Sequence, residues 1–139
     1  MKLAMTTGLL FAAAMPAFAQ DAENGERQFA RQCVACHVIV NDDGDTLAGR
    51  NARTGPNLYD MVARGIAGEA DFNYGDSLVE LREQGAEWTE DAFVGYVQDP
   101  TGWLREVLDD RRARGKMAYQ VRDEQAARDI YAYLAGIAG

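Results

Sequence analysis

Cys33-Val34-Ala35-Cys36-His37 decides how the rest of the chain is read. C-x-x-C-H is the pattern of covalent c-type haem attachment. Two thiols can add across the two vinyl groups on one haem edge, giving two thioether bonds. Two intervening residues let one helical turn present both sulfurs to that edge. His37 then lies beneath the iron and can ligate it through a neutral imidazole nitrogen. Competing readings fare worse. A thioredoxin-like redox pair needs a βαβ setting, and the sequence offers none. Structural zinc needs four ligands, whereas the chain has two Cys and one His. A plain disulfide leaves His37 without a role.

The chain has 139 residues, enough for one domain. Residues 1–19 read as a secretory signal peptide. Lys2 starts it, Leu9 to Met15 is its apolar run, and Ala17 and Ala19 are the small residues before a cut expected after Ala19. The apolar run is too short to span a bilayer. The expected division is therefore 1–19, removed, and 20–139, one domain that is exported and not membrane-embedded. Without Lys2, thirteen basic residues face twenty-two acidic ones, a net charge of −9. Such a balance argues against nucleic acid or an anionic membrane surface as partner.

Along the chain the signals are helical. Asp21 caps a first helix on which Gly25, Phe29 and Cys33 share a face. Asn41 to Asp45 is turn chemistry. Asn57 is expected to cap a short helix with Leu58, Met61 and Val62. Asp76 or Ser77 begins another, ending near Gly85. Thr89 caps a helix carrying Phe93, Val94, Tyr96 and Val97. Asp99-Pro100 opens the next, with proline at its first position. Asp123 caps a last helix with Ala127, Ile130, Tyr131 and Leu134 at helical spacing. No period-2 strand stands out, so the expected fold is all-α, short helices wrapped around a cofactor.

His37 is the single histidine, so two histidine ligands are excluded. The candidates for the sixth position are Met61, Met117 or nothing. Met61 belongs to a helical apolar pattern and reads as core filler. Met117 follows Arg114-Gly115-Lys116 in a loop between helices, where it has no stripe to join, and reads as the ligand, the alternative being a plug for the core beneath that loop.

The ordered set of a Gly/Phe helix, C-x-x-C-H, Thr54-Gly55-Pro56-Asn57-Leu58, Tyr96-Val97-Gln98-Asp99-Pro100, Gly115-Lys116-Met117 and an Ala132-Tyr133-Leu134 helix resembles class I cytochromes c. Ala48 to Tyr59 and the Tyr96 segment are particularly similar to bacterial cytochromes c2. The resemblance covers essentially all of residues 20–139. It implies one haem c, attached through Cys33 and Cys36, with His37 and Met117 as axial metal ligands. It implies that the Pro56 carbonyl accepts the His37 Nδ1–H and fixes the tautomer. Tyr96 matches a tyrosine that reaches toward the methionine sulfur. Trp88, Tyr74 and Arg64 match residues that meet the propionates. Gly25 and Phe29 match first-helix residues packed on the last helix at Tyr133 and Leu134, and Tyr119 an aromatic beside the haem edge. Leu78 and Gly115 depart from the Asn and Thr of mitochondrial relatives.

The function so implied is one-electron carriage in the periplasm, not enzymatic catalysis. The implied partners are a cytochrome bc1 complex as donor and a photosynthetic reaction centre or terminal oxidase as acceptor, met as a monomer. The alternative is a haem protein with an open sixth site, peroxidase-like or gas-binding. Arg111, Arg112, Arg114 and Lys116 form a basic cluster beside Met117, expected to steer docking.

Overall fold

The computed structural model describes residues 20–137. The expected signal segment, residues 1–19, lies outside the described residues, as do 138–139. In chain order come α1 (Ala22–Gln32), β1 (Ile39–Val40), β2 (Thr46–Ala48), α2 (Met61–Arg64), α3 (Asp76–Glu83), α4 (Glu90–Gln98), α5 (Pro100–Val107) and α6 (Glu124–Ala135). Helices dominate, in agreement with the all-α expectation. None of the described helices is long and apolar enough to cross a membrane.

The capping chemistry acts where it was read. The carboxylates of Asp21, Asp99 and Asp123 and the hydroxyl of Thr89 each accept a backbone N–H from the first turn of the following helix. Each closes one of the donors a helix start leaves open. Asn57 does not cap. Its amide instead brackets Val40, accepting from the backbone N–H at 2.9 Å and donating to the carbonyl at 2.8 Å. α2 begins later, after Asp60, whose φ is 51° and whose side chain makes no cap bond.

Asn41 to Asp45 is the turn it was read as, and the residues on either side of it form a small antiparallel ribbon. Ile39 pairs with Ala48 and Val40 with Thr46, across a bulge. Two and three residues are too few for alternation to register in sequence. The ribbon is held by the Asn41 to Asp45 turn, where Gly44 has φ 87°, and by Asn57 from outside.

The core forms where α1 crosses α6, with α4 packed on both α6 and α5. Phe29, Ile130 and Leu134 are buried there. The crossing is close because Gly25 lacks a side chain. A Cβ at that position would lie 1.9 Å from the Asp129 carbonyl oxygen and 2.9 Å from the Tyr133 Cβ. The Phe29 ring meets that of Tyr133 at 5.7 Å. Asp129 is only 2% exposed, an unusual place for a carboxylate. It is satisfied by the Asp21 N–H at 3.0 Å, the Asn24 amide at 2.7 Å and the Gln125 amide at 2.8 Å.

Burial opposes the charge on Asp129, but the bonds from Asn24, Asp21 and Gln125 outweigh it and hold the pKa below the ordinary value. A depressed carboxylate stabilises the fold above its unfolded pKa of about 3.9 and loses that contribution as pH falls through the folded value. Asp129→Asn is therefore expected to cost about 1–3 kcal/mol at pH 7. Urea denaturation at pH 7 and again near pH 3 checks this: the gap between variant and parent should close at the lower pH.

Candidate cofactor site

One apolar cavity of about 280 Å³ lies between the two halves of the chain. α1 delivers its first wall. Its hydrogen-bond ladder runs on through the Cys33 N–H to Phe29 O, and the Cys36 and His37 N–H groups both turn back to Cys33 O at 3.1 and 2.9 Å. That single turn places Cys33 and His37 on the cavity wall. Cys36 is partly buried beside them but is not among the wall residues. No disulfide joins the two cysteines. Burial, with the neighbouring Cys36, pushes the Cys33 thiol up to about 12. A reactive redox cysteine has a lowered pKa, and Cys33 moves the other way.

His37 is held from behind. Its Nδ1 lies 2.9 Å from the Pro56 carbonyl oxygen, an acceptor, so Nδ1 carries the proton and donates. Burial pulls the imidazole pKa below the usual value, and the Pro56 bond only partly opposes this. The ring is neutral at pH 7, with Nε2 left as its free lone pair. Gly55 is a steric requirement of this arrangement. A Cβ there would fall 2.3 Å from His37 Cε1 and 2.6 Å from Nδ1. The Gly55 N–H also anchors the segment to Cys36 O at 2.8 Å.

Met117 lines the same cavity. Its loop has no regular structure, yet four bonds tie it down. Arg114 N–H donates to Ser77 Oγ at 3.1 Å, Gly115 N–H to Thr101 Oγ1 at 3.1 Å, and Lys116 Nζ to Asn73 O at 2.7 Å. Just beyond, Val121 N–H donates to Val97 O at 2.8 Å. Gly115 has a packing reason, since a Cβ there would sit 3.0 Å from Pro100 Cβ. Met61, read as core filler, is buried as expected but also lines the cavity.

Pro56, Arg64, Tyr74, Trp88 and Tyr96 all stand on the wall as well. Burial, with Tyr74 nearby, pushes the Tyr96 hydroxyl up to about 12, so it remains a neutral donor. Trp88 is locked by Tyr96 at 5.4 Å and by stacking on Trp103 at 6.1 Å. Tyr131 donates to its carbonyl at 3.0 Å. Arg64 has partners of its own: Glu69, Asp42 at 3.5 Å, and the Tyr59 ring at 5.7 Å. Glu69 was not legible as a site residue, because it sits in a loop with no periodicity. Tyr119 is 49% exposed beside the cavity and donates to Gln32 Oε1 at 3.1 Å.

The basic cluster is less uniform than its sequence suggests. Arg112 pairs with Asp110 at 3.3 Å. Asp76, Glu80 and Asp110 share one groove with Arg112, Arg114 and Lys116.

The residues fit the haem that C-x-x-C-H implies. An apolar cavity carries a cysteine thiol, a neutral imidazole with its tautomer fixed and a methionine thioether on its wall, with Gly55 where a side chain would collide with the imidazole. The comparisons agree. A family model described as Cytochrome c matches residues 22–138. Cytochrome c2 of Rhodovulum adriaticum is 54% identical over 117 residues, covering 84% of this chain and 92% of that protein. Cytochrome c2 of Cereibacter sphaeroides is 50% identical over 129 residues, covering 91% and 88%. The X-ray structure of cytochrome c2 from Rhodobacter sphaeroides matches with a TM-score of 0.81 at 47% identity, covering 86% of this chain and 97% of that one.

Gly55→Ala is expected to push the imidazole off the Pro56 carbonyl. In NMR the hydrogen-bonded Nδ1–H resonance of His37 should shift or vanish, whereas Thr54→Ala, one residue away, should leave it in place.

Proposed function

The chain belongs to the cytochrome c family, and on that premise we propose how it holds its haem and whom it serves. It is an electron carrier, not an enzyme. Its single c-type haem is covalently attached through the Cys pair, Cys33 and Cys36, the only cysteines present. The haem stores one electron by cycling its iron between Fe(III) and Fe(II).

His37 and Met117 would hold the haem iron. One observation carries this assignment: both line the same cavity, and His37 has already spent Nδ1 on Pro56, leaving Nε2 for the metal. Pro56 fixes the ring orientation and raises ligand basicity. A histidine and methionine pair favours a higher potential than two nitrogen ligands. Tyr96, Trp88, Tyr74 and Arg64 complete the pocket, the first through its neutral hydroxyl near the methionine side, the others toward the propionates. With Met117 available to hold the iron beside His37, the peroxidase-like or gas-binding alternative is not favoured.

Residues 1–19 act as an export signal and residues 20–139 work in the periplasm as a monomer. Electrons arrive from a cytochrome bc1 complex and leave to a photosynthetic reaction centre or a terminal oxidase. The cytochrome c2 relatives support this placement. Docking uses the exposed edge marked by Tyr119, with Arg114 and Lys116 before Met117 and Arg122 after it. Arg112 contributes less, being already paired with Asp110.

Met117→Ala should keep the covalent haem, lose the weak far-red sulfur band of the oxidised spectrum and lower the potential. Met61→Leu conserves volume and should do neither. If Met61→Leu removes the band instead, the ligands are misassigned.

Oxidation by the acceptor is expected to slow as salt rises, because encounter is steered by local charge. Arg114→Glu should slow association further and leave the spectrum unchanged. A stopped-flow rate that is flat or rising with salt would replace steering by apolar contact at Tyr119.

A further inference from the structure

Among the described residues Glu69 is the only carboxylate on the cavity wall. Two cations share the wall with it, Arg64 and Lys116. Lys116 is committed to the Asn73 carbonyl at 2.7 Å. Arg64 is hydrogen-bonded to Glu69, and both side chains are largely shielded, at 26% and 21% exposed. Asp42 also reaches Arg64, at 3.5 Å, but it is 81% exposed and screened by solvent.

The backbone is built to bring Glu69 there. Gly65 ends α2 with φ 79°, and its N–H returns to Met61 O at 3.0 Å. At Gly68 the loop folds onto Arg64 so closely that a Cβ would lie 2.2 Å from the Arg64 carbonyl oxygen. Arg82 Nη1 donates to Ala67 O at 3.3 Å from α3. The Glu69 N–H then donates to the Tyr74 hydroxyl at 3.2 Å. That bond uses a lone pair of the hydroxyl and leaves its proton free to donate into the cavity.

We infer that Glu69 is a potential-setting residue: its carboxylate takes up the charge of Arg64 and holds the haem at a lower potential than Arg64 alone would give. The inference rests on the haem-carrier reading above. Its physics is a charge balance. The oxidised cofactor carries one more positive charge than the reduced one. A nearby carboxylate stabilises the oxidised form, and a nearby guanidinium the reduced form. Propionates bring negative charge to the same side of the cavity, where Arg64 would otherwise answer them alone. With Glu69 on the guanidinium, part of that compensation is already used. The wall is apolar, so these charges are weakly screened and a single one matters.

Redox titration of the haem-loaded protein tests this. Glu69→Gln keeps the shape and removes the charge. It should shift the reduction equilibrium toward the reduced form by roughly tenfold, about 59 mV for one electron. The shift should survive high salt, since the pair is shielded. Glu69→Asp restores the charge and should return the potential most of the way to the parent value. Arg64→Gln should move it in the opposite direction, and it keeps the idea testable if Glu69→Gln loads poorly. A Gln variant within twofold of the parent, an Asp variant that behaves like Gln, or an Arg64→Gln variant that rises would each overturn the inference. The far-red sulfur band, read on the same samples, reports separately on the ligand assignment. Its absence from the parent would sink that assignment and leave the charge effect to be judged on the potentials alone.

Discussion

The crossing of α1 and α6 at Gly25 is the contact on which the cavity depends. α1 carries Cys33 and His37 beyond its last turn, and α6 contributes Ile130 and Leu134 to the wall. If the helices stood farther apart, the two walls would no longer enclose one space. A missing Cβ at Gly25 lets the backbones touch, and Asp129 then reaches across to the start of α1. A buried carboxylate is costly unless every lone pair finds a donor. Here three donors come from Asp21, Asn24 and Gln125, two of them on the partner segment. The charge therefore fixes register as well as distance: a helix slid by one turn would strand it.

The chain also brings the Met117 thioether to the cavity wall, and it does so without regular structure. The Met117 loop is fastened to four separate places: Ser77 at the start of α3, Thr101 in α5, the Asn73 carbonyl, and Val97 in α4. Each such bond is worth only about 1 kcal/mol net. Their effect lies in being spread over three helices and a loop, so that no single fluctuation frees the sulfur. Rigidity of this kind suits electron carriage. The less the ligands and dipoles move between oxidation states, the less reorganisation each transfer requires. The Trp88, Trp103 and Tyr96 rings extend the same stiffness behind the cavity, and Gly95 is needed there because a Cβ would lie 2.5 Å from the Trp103 ring.

Much of this was legible because the chemistry is local. Asp21, Thr89, Asp99 and Asp123 announce helix starts within three residues of themselves. C-x-x-C-H encodes its geometry in one turn. The wall residues Arg64, Tyr74, Trp88 and Tyr96 were reached through family order and not through any pattern of their own. What stayed hidden acts over long separations. Asn57 has the side chain of a cap, but it is recruited by Val40, seventeen residues earlier, and the helix begins elsewhere. The ribbon is too short for alternation to speak. Asp129 looks like an ordinary polar position on α6 until Asn24 is set beside it. Glu69 looks like a loop residue until Gly68 folds it onto Arg64.

The same distinction between local and distant governs the electrostatics. Twenty-two acidic residues give the chain its negative character, yet most of them lie in water, where a charge beyond about 8–10 Å is largely screened. They set how the molecule meets others and hardly set what its iron does. Charges on an apolar wall act through a far lower effective dielectric, so the few of them there outweigh the many outside. The mixed groove beside Met117 sits at the boundary between these regimes, with Asp76, Glu80 and Asp110 interleaved among Arg112, Arg114 and Lys116. Pairing inside the patch leaves its pull on a partner to the cations that stay unpaired. Its selectivity comes from which arginine is left unpaired. Arg112 already has Asp110, while Lys116 is spent on Asn73 and so stiffens the Met117 loop. On the docking proposed above, Arg114, whose backbone is tied to Ser77 but whose guanidinium is free among the described residues, is the cation left to meet an incoming carboxylate.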